Sequence, residues 1–238
     1  MDKFILIDVL YDIINPQREI NLRECKMQEL MGNDNSYQSL FIAVRYWLIG
    51  ISQNDHQYIP ALKALEYAKN IHIGLRKDGK TPEFQHQIEI VHYLRTLYTG
   101  LMYPGATFAA ALLHDVPEDY DISFEEIEEL FGKKISDAVR LLTKKHRGEK
   151  KEMELYFEEM AHCPIASVIK GGDRINNHQT MHPVFTKEKQ ISYITETKDF
   201  IIPMLKKAKH IHVEQEYIYE NIKFILKSQM VMANHRLS

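Results

Sequence analysis

The stretch Phe108-Ala-Ala-Ala-Leu-Leu-His114-Asp115-Val-Pro-Glu118-Asp119 delivers an imidazole and three carboxylates at the end of an apolar run. Helix positions three and four apart share a face, so Glu118 lies beside both Asp115 and His114 as long as the backbone stays near-helical. The run from Phe108 to Leu113 reads as a buried helix, and buried charges are costly unless they are paired or coordinate a metal. Pro117 would clash with the turn before it, so the helix is predicted to end or kink at the His-Asp pair and turn the carboxylates outward. These residues predict the centre of a metal site. Alone, they also fit a buried helix that ends in a polar surface loop.

Two further residues extend the pattern. His86 falls on the first turn of an amphipathic helix that carries Ile88, Val91 and Tyr98; by itself it could be an ordinary helix histidine. Asp173, in Val168-Ile-Lys-Gly-Gly-Asp-Arg-Ile-Asn-Asn-His-Gln-Thr180, is read as the carboxylate on which a second apolar helix ends. Together, His86, His114, Asp115 and Asp173 would give a mixed nitrogen and oxygen shell. Such a shell suits manganese, iron or zinc better than a closed thiolate zinc site, and open positions would admit water.

The elements that must position these residues read as helices throughout. The 238 residues, 45% hydrophobic and 26% charged, fit one globular unit with appendages. Breakers are sparse, with 10 Gly and 8 Pro, and no run of alternating strands separated by turn dipeptides appears. Helices are predicted at 37–53, 60–73, 84–99, 105–116, 123–131, 133–145, 151–161, 165–172, 187–209 and 214–232. Ser123 and Glu126 form a capping box that opens one of them, and Gly132 closes it. The Pro16–Ser36 region separates a short apolar N-terminal segment from the helical body. That segment is broken by Asp8 after four apolar residues, too short for a signal peptide or a membrane span. Cys25 and Cys163 are too few and too far apart for a disulfide framework, which suits a reducing cytoplasm. A net charge of −3 gives no global attraction to nucleic acid.

A His, then an adjacent His-Asp, then a distant Asp, all on helices, resembles the HD-domain phosphohydrolases, and in detail the hydrolase domain of the RelA/SpoT family. Arg76-Lys77-Asp-Gly with Pro82 and His86 resembles that domain's opening motif. His114-Asp-Val-Pro-Glu-Asp119 followed by Ser123-Phe-Glu-Glu-Ile-Glu-Glu-Leu-Phe-Gly132 resembles its central motif, and Asp173-Arg-Ile-Asn-Asn-His-Gln-Thr180 its third. Thr180 to Gln190, and Glu196-Thr197 followed by Pro203, resemble its next helix. The resemblance implies an all-α HD-domain helical bundle over residues 70–208; the expected N-terminal helical extension at 1–69 and C-terminal helix at 209–238 are additions it does not explain. It also implies hydrolysis of the 3′-pyrophosphate of (p)ppGpp with manganese. On that basis His86, His114, Asp115 and Asp173 would hold the metal, and Glu118 and Asp119 would position and deprotonate the attacking water. Arg76 would stack on guanine with Lys77 near phosphate, and Asn177 and Thr180 would contact the sugar and phosphate end.

Departures from the family pattern sit near the third motif. Gly171-Gly172 precede Asp173, and Asn176 stands where a His is common. No synthetase motif follows the matched region. Lys144-Lys-His-Arg-Gly-Glu-Lys-Lys151, with six basic side chains in eight residues, is read as a solvated loop between helices, as a basic rim steering a multiply phosphorylated nucleotide, or less readily as a nucleic-acid patch. The last helix, with Tyr217, Tyr219, Ile222 and Phe224, could seal the core or a dimer contact, so the oligomeric state stays open. The expected partner is a small nucleotide, with neither nucleic acid nor membrane. The alternatives are an HD phosphohydrolase for another nucleotide, such as a deoxynucleotide or modified alarmone, and a catalytically silent nucleotide-binding protein.

Overall fold

The computed structural model describes residues 35–237 apart from Arg147 and Pro183. The N-terminal apolar segment, Cys25 and all but the end of the Pro16–Ser36 region lie outside the described residues. The chain runs through α1 (Asn35–Asn54), α2 (Ile59–Ile71), α3 (Gln85–Leu94), α4 (Pro104–Leu113), α5 (Val116–Asp119), α6 (Phe124–Phe131) and α7 (Lys133–Leu142). A two-stranded hairpin comes next, β1 (Lys145–His146) and β2 (Glu149–Lys150). Then come α8 (Met153–Ala161), α9 (Pro164–Thr180), α10 (Lys187–Glu196), α11 (Ile202–Ile211) and α12 (Glu216–Leu237). The all-α expectation holds. Among the described residues no helix is long and apolar enough to cross a membrane.

Helix α4 is the centre of the packing. Its residues are buried on every side, Ala106 alone being half-buried, and it packs most extensively against α2 and also against α3, α7 and α9. A helix that is apolar all round has no solvent face to present, so it must be enclosed by neighbours. Phe108 is held edge-on by Trp47 of α1, with ring centroids 5.1 Å apart. Tyr37, Phe41 and Leu48 at one end of the chain and Ile218, Tyr219 and Leu226 at the other belong to the same apolar cluster as Phe108 and Leu112. Helices α1 and α12 therefore share the core of the segment between them.

The start of α4 is pressed against backbone. A Cβ added at Gly105 would lie 1.9 Å from the Gln57 carbonyl oxygen, and a carbonyl cannot swing aside as a side chain would. Gly105→Ala is expected to destabilise by about 1–3 kcal/mol, the usual cost of overpacking. Thermal unfolding would register this as a midpoint lowered by a few degrees, and an unchanged midpoint would contradict the close approach. Gly171 has a similar role in α9, where an added Cβ would meet Ile222 of α12 at 2.6 Å. The Gly171-Gly172 departure thus coincides with close helix packing.

Three expectations need correction. The helix predicted to end at 172 runs unbroken to Thr180, because Asp173, Arg174, Asn176 and His178 point into the protein and find partners there. The helix predicted over 133–145 stops at Leu142, and Thr143 is extended. The chain then enters the hairpin, closed by Gly148 at φ +89°, a conformation that glycine adopts without steric cost. The helix predicted over 187–209 is interrupted by a wide turn at Thr197–Ile201. Pro203 lacks an N–H and crowds the turn before it, and such local widening relieves this. The Ser123 cap forms, its Oγ accepting from the Glu126 N–H at 3.2 Å, while the Glu126 carboxylate accepts instead from the Tyr67 hydroxyl at 2.9 Å.

Candidate metal centre

Helix α4 ends by delivering His114 into the interior, and the chain restarts one residue later as α5. Pro117 falls in the first turn of that short helix, where its missing N–H would have had no partner in any case. The Glu118 and Asp119 N–H groups both return to the Asp115 carbonyl, at 3.1 and 2.9 Å. Asp115 therefore sits at a hinge between a buried helix and an exposed turn. Glu118 and Asp119 are exposed on that turn.

The structure brings His86 from α3 to the same place. One ligand atom each from His86, His114 and Asp115 lie within 4.8 Å of one another. His114 Nε2 is 3.1 Å from Asp115 Oδ2, and His86 Nε2 is 3.7 Å from the same oxygen. Asp173 of α9 borders the group through His86, with Oδ1 3.3 Å from His86 Nε2. His114 Nδ1 donates to the Ala111 carbonyl at 2.8 Å, which turns Nε2 toward the carboxylates. That atom is buried and has no hydrogen-bond partner, although Asp115 is near.

Electrostatics within the group are strong. Burial pulls the His114 imidazole down, but the adjacent Asp115 carboxylate outweighs this and raises it to about 9. Burial pushes Asp115 and Asp173 upward, yet His114 holds the first below the ordinary carboxylate range and the Lys170 ammonium holds the second there. Asp119 goes the other way: although solvent reaches it, partial desolvation on the turn and then the charges of Asp115, Glu83 and Glu118 raise it to about 6. Two imidazoles facing ionised carboxylates form a donor set that fits a divalent cation, with the N and O ligands such ions accept, and a cation there would take the place of the proton that the carboxylates now favour on His114. His86, His114, Asp115 and Asp173 are the residues available to hold it.

The residues expected to meet substrate lie around this group. Arg76 is half-buried in a tight loop closed by Gly79 at φ +68°, and its Nη1 donates to Asn176 Oδ1 over 3.4 Å. Lys77 Nζ lies over the Phe185 ring, 5.6 Å from its centroid. Asn177 Nδ2 donates to Asp173 Oδ1 at 2.5 Å. Thr180 is turned back onto its own helix, its hydroxyl donating to the Asn176 carbonyl at 3.0 Å.

Several contacts were not read from the sequence. Lys170 Nζ donates to Asp173 Oδ2 at 2.9 Å; the three-residue spacing along a helix was its available signal. Gln87 Nε2 donates to Asp115 Oδ2 at 3.1 Å, and nothing local marks it out. Glu118 Oε2 accepts from the Lys144 N–H at 3.1 Å, and His146 Nδ1 donates to the Pro117 carbonyl at 3.0 Å. The basic hairpin is thus bonded to the turn that carries the carboxylate pair. Lys144 Nζ and Arg174 both engage Glu196.

An all-helical bundle with His86, His114-Asp115 and Asp173 converging from three helices has the architecture of an HD domain. That family matches residues 64–204, more than half of the chain, and the protein belongs to it. The chain is similar to a probable guanosine-3′,5′-bis(diphosphate) 3′-pyrophosphohydrolase of Synechocystis sp., with 32% identity over 152 residues that cover 60% of this chain and 19% of that one. It is also similar to a guanosine-3′,5′-bis(diphosphate) 3′-pyrophosphohydrolase of Aquifex aeolicus, at 31% over 147 residues, 60% and 20% of the two chains. It therefore spans about a fifth of the length of these curated relatives. Among solved structures it is similar to one described as "A metazoan ortholog of SpoT hydrolyzes ppGpp and plays a role in starvation responses". There the TM-score is 0.54 and the identity 27%, covering 68% of this chain and 93% of the other.

Proposed function

We propose that the protein is a cytoplasmic phosphohydrolase that removes the 3′-pyrophosphate from ppGpp and pppGpp, giving GDP or GTP and free pyrophosphate, with manganese as its ion. The observation that carries this reading is the convergence of His86, His114, Asp115 and Asp173 beside the exposed Glu118 and Asp119, joined to the activities for which similar proteins are named. When bound, the ion would lower the pKa of a coordinated water and polarise the phosphoryl oxygens. Glu118 and Asp119 position the attacking water and take its proton; the raised Asp119 suits a group that must both gain and lose one near neutral pH. The water oxygen ends on the pyrophosphate as the bond between phosphorus and the 3′ oxygen breaks, and the 3′ oxygen leaves with a proton as the hydroxyl. Arg76 receives the base, Lys77 a phosphate, and Asn177 and Thr180 the sugar end.

The test is product analysis by anion-exchange chromatography with ppGpp and dATP in parallel and manganese added. Turnover of ppGpp to GDP and pyrophosphate is expected, with little reaction of dATP. Efficient dATP turnover with inert ppGpp would move the activity to another nucleotide, and no turnover of either would leave a binding protein.

A further inference from the structure

We propose that Asn176 is a positioning residue that fixes the His86 imidazole, with Nδ1 protonated and the Nε2 lone pair facing the carboxylates of Asp115 and Asp173. This rests on the reading of that group as a metal centre. Both ends of the Asn176 amide are engaged. Its Oδ1 lies 2.6 Å from His86 Nδ1 and also receives the longer bond from Arg76. Its Nδ2 donates to Glu89 Oε2 at 2.5 Å, and the other Glu89 oxygen is held by Gln85 at 2.7 Å.

The pattern assigns the amide orientation and the imidazole tautomer together. A carboxylate at Glu89 can only accept and a guanidinium at Arg76 can only donate, so the amide must turn its NH2 toward Glu89 and its oxygen toward Arg76. That oxygen in turn can only accept, so His86 Nδ1 must carry the proton. In the neutral imidazole that a cation requires, Nε2 is then the lone pair, 3.3 Å from Asp173 Oδ1 and 3.7 Å from Asp115 Oδ2. Asn176 is buried, so water cannot readily replace the bond. Outer partners of this kind orient histidine ligands and tune their basicity, and removing one costs about 10–100-fold in metal affinity.

The experiment compares the parent with Asn176→Leu, which has a similar branched shape and no polar atom, and with the double variant Asn176→Asp/Glu89→Gln, which keeps an oxygen for His86 and exchanges donor and acceptor across the contact with position 89. Long-range proton–nitrogen correlation spectra of the metal-free protein report which His86 nitrogen bears the proton, with the signal assigned by its loss in His86→Gln. Calorimetric titration with Mn2+ gives the affinity. The parent and Asn176→Asp/Glu89→Gln are expected to hold the Nδ1 proton and bind Mn2+ within a few-fold of each other. Asn176→Leu is expected to show mixed tautomers and about 10–100-fold weaker binding. Should Asn176→Leu fail to fold, Asn176→Ser, too short to reach the ring, takes its place with the same expectation. An unchanged tautomer and affinity without the amide would overturn the proposal, as would equal loss in Asn176→Asp/Glu89→Gln. Inert ppGpp alongside the expected tautomer and affinity results would remove the substrate reading and leave this one standing.

Discussion

Asp115→Asn is expected to yield a folded protein that no longer retains a divalent ion and turns over ppGpp at least about a thousandfold more slowly. The size comes from what a bound ion contributes to phosphoryl chemistry, several kcal/mol of charge stabilisation, at roughly 1.4 kcal/mol for each factor of ten. Asp115 is the shared neighbour in this centre: both His86 Nε2 and His114 Nε2 face its Oδ2. Replacing the carboxylate by an amide keeps the shape and the Gln87 neighbour but removes the charge that a cation needs. His114→Ala is expected to do the same by deleting the imidazole nitrogen that faces the Asp115 carboxylate. Elemental analysis of the purified variants, with circular dichroism to verify folding, decides the matter. Full metal occupancy in either one would refute this assignment of ligands.

Glu118→Gln and Asp119→Asn are expected to separate metal binding from chemistry. Each should lower turnover by about 10²–10⁴-fold, the usual contribution of a positioned acid or base, while metal content stays at the parental level. Glutamine at 118 can still offer an oxygen to the Lys144 N–H, the contact that Glu118 Oε2 now makes, so the turn and the hairpin should keep their arrangement. Asn at 119 removes a carboxyl that burial and neighbouring carboxylates raise to about 6, and with it the capacity to accept a proton. The measurement pairs steady-state turnover with metal analysis on the same preparations. Parental rates in both variants, with metal retained, would show that neither carboxylate handles the water.

Much of this molecule is determined locally and is therefore legible in the chain itself. The apolar run from Phe108 to Leu113 requires a buried helix, Pro117 requires a break after it, and Ser123 and Gly132 bound the next helix; all are present. Each depends on forces acting within one or two turns of backbone. The convergence of His86 and Asp173 on His114-Asp115 is different, because these residues stand on separate helices and only packing can bring them together. Without the resemblance to a known family, the sequence offered candidates but no way to join them. Helix α9 shows the limit most clearly. Its two glycines and the polar residues after them read locally as an end, yet the helix continues because α12 needs the missing Cβ at Gly171, and because Lys170, Glu89 and His86 satisfy polar groups that would otherwise be stranded in the interior. Asn176 carried no local signal beyond being an asparagine. Its role depends on three partners, at positions 76, 86 and 89, whose distance from it in sequence hides them, and hydrogen-bond geometry at that separation is decided by tertiary structure alone.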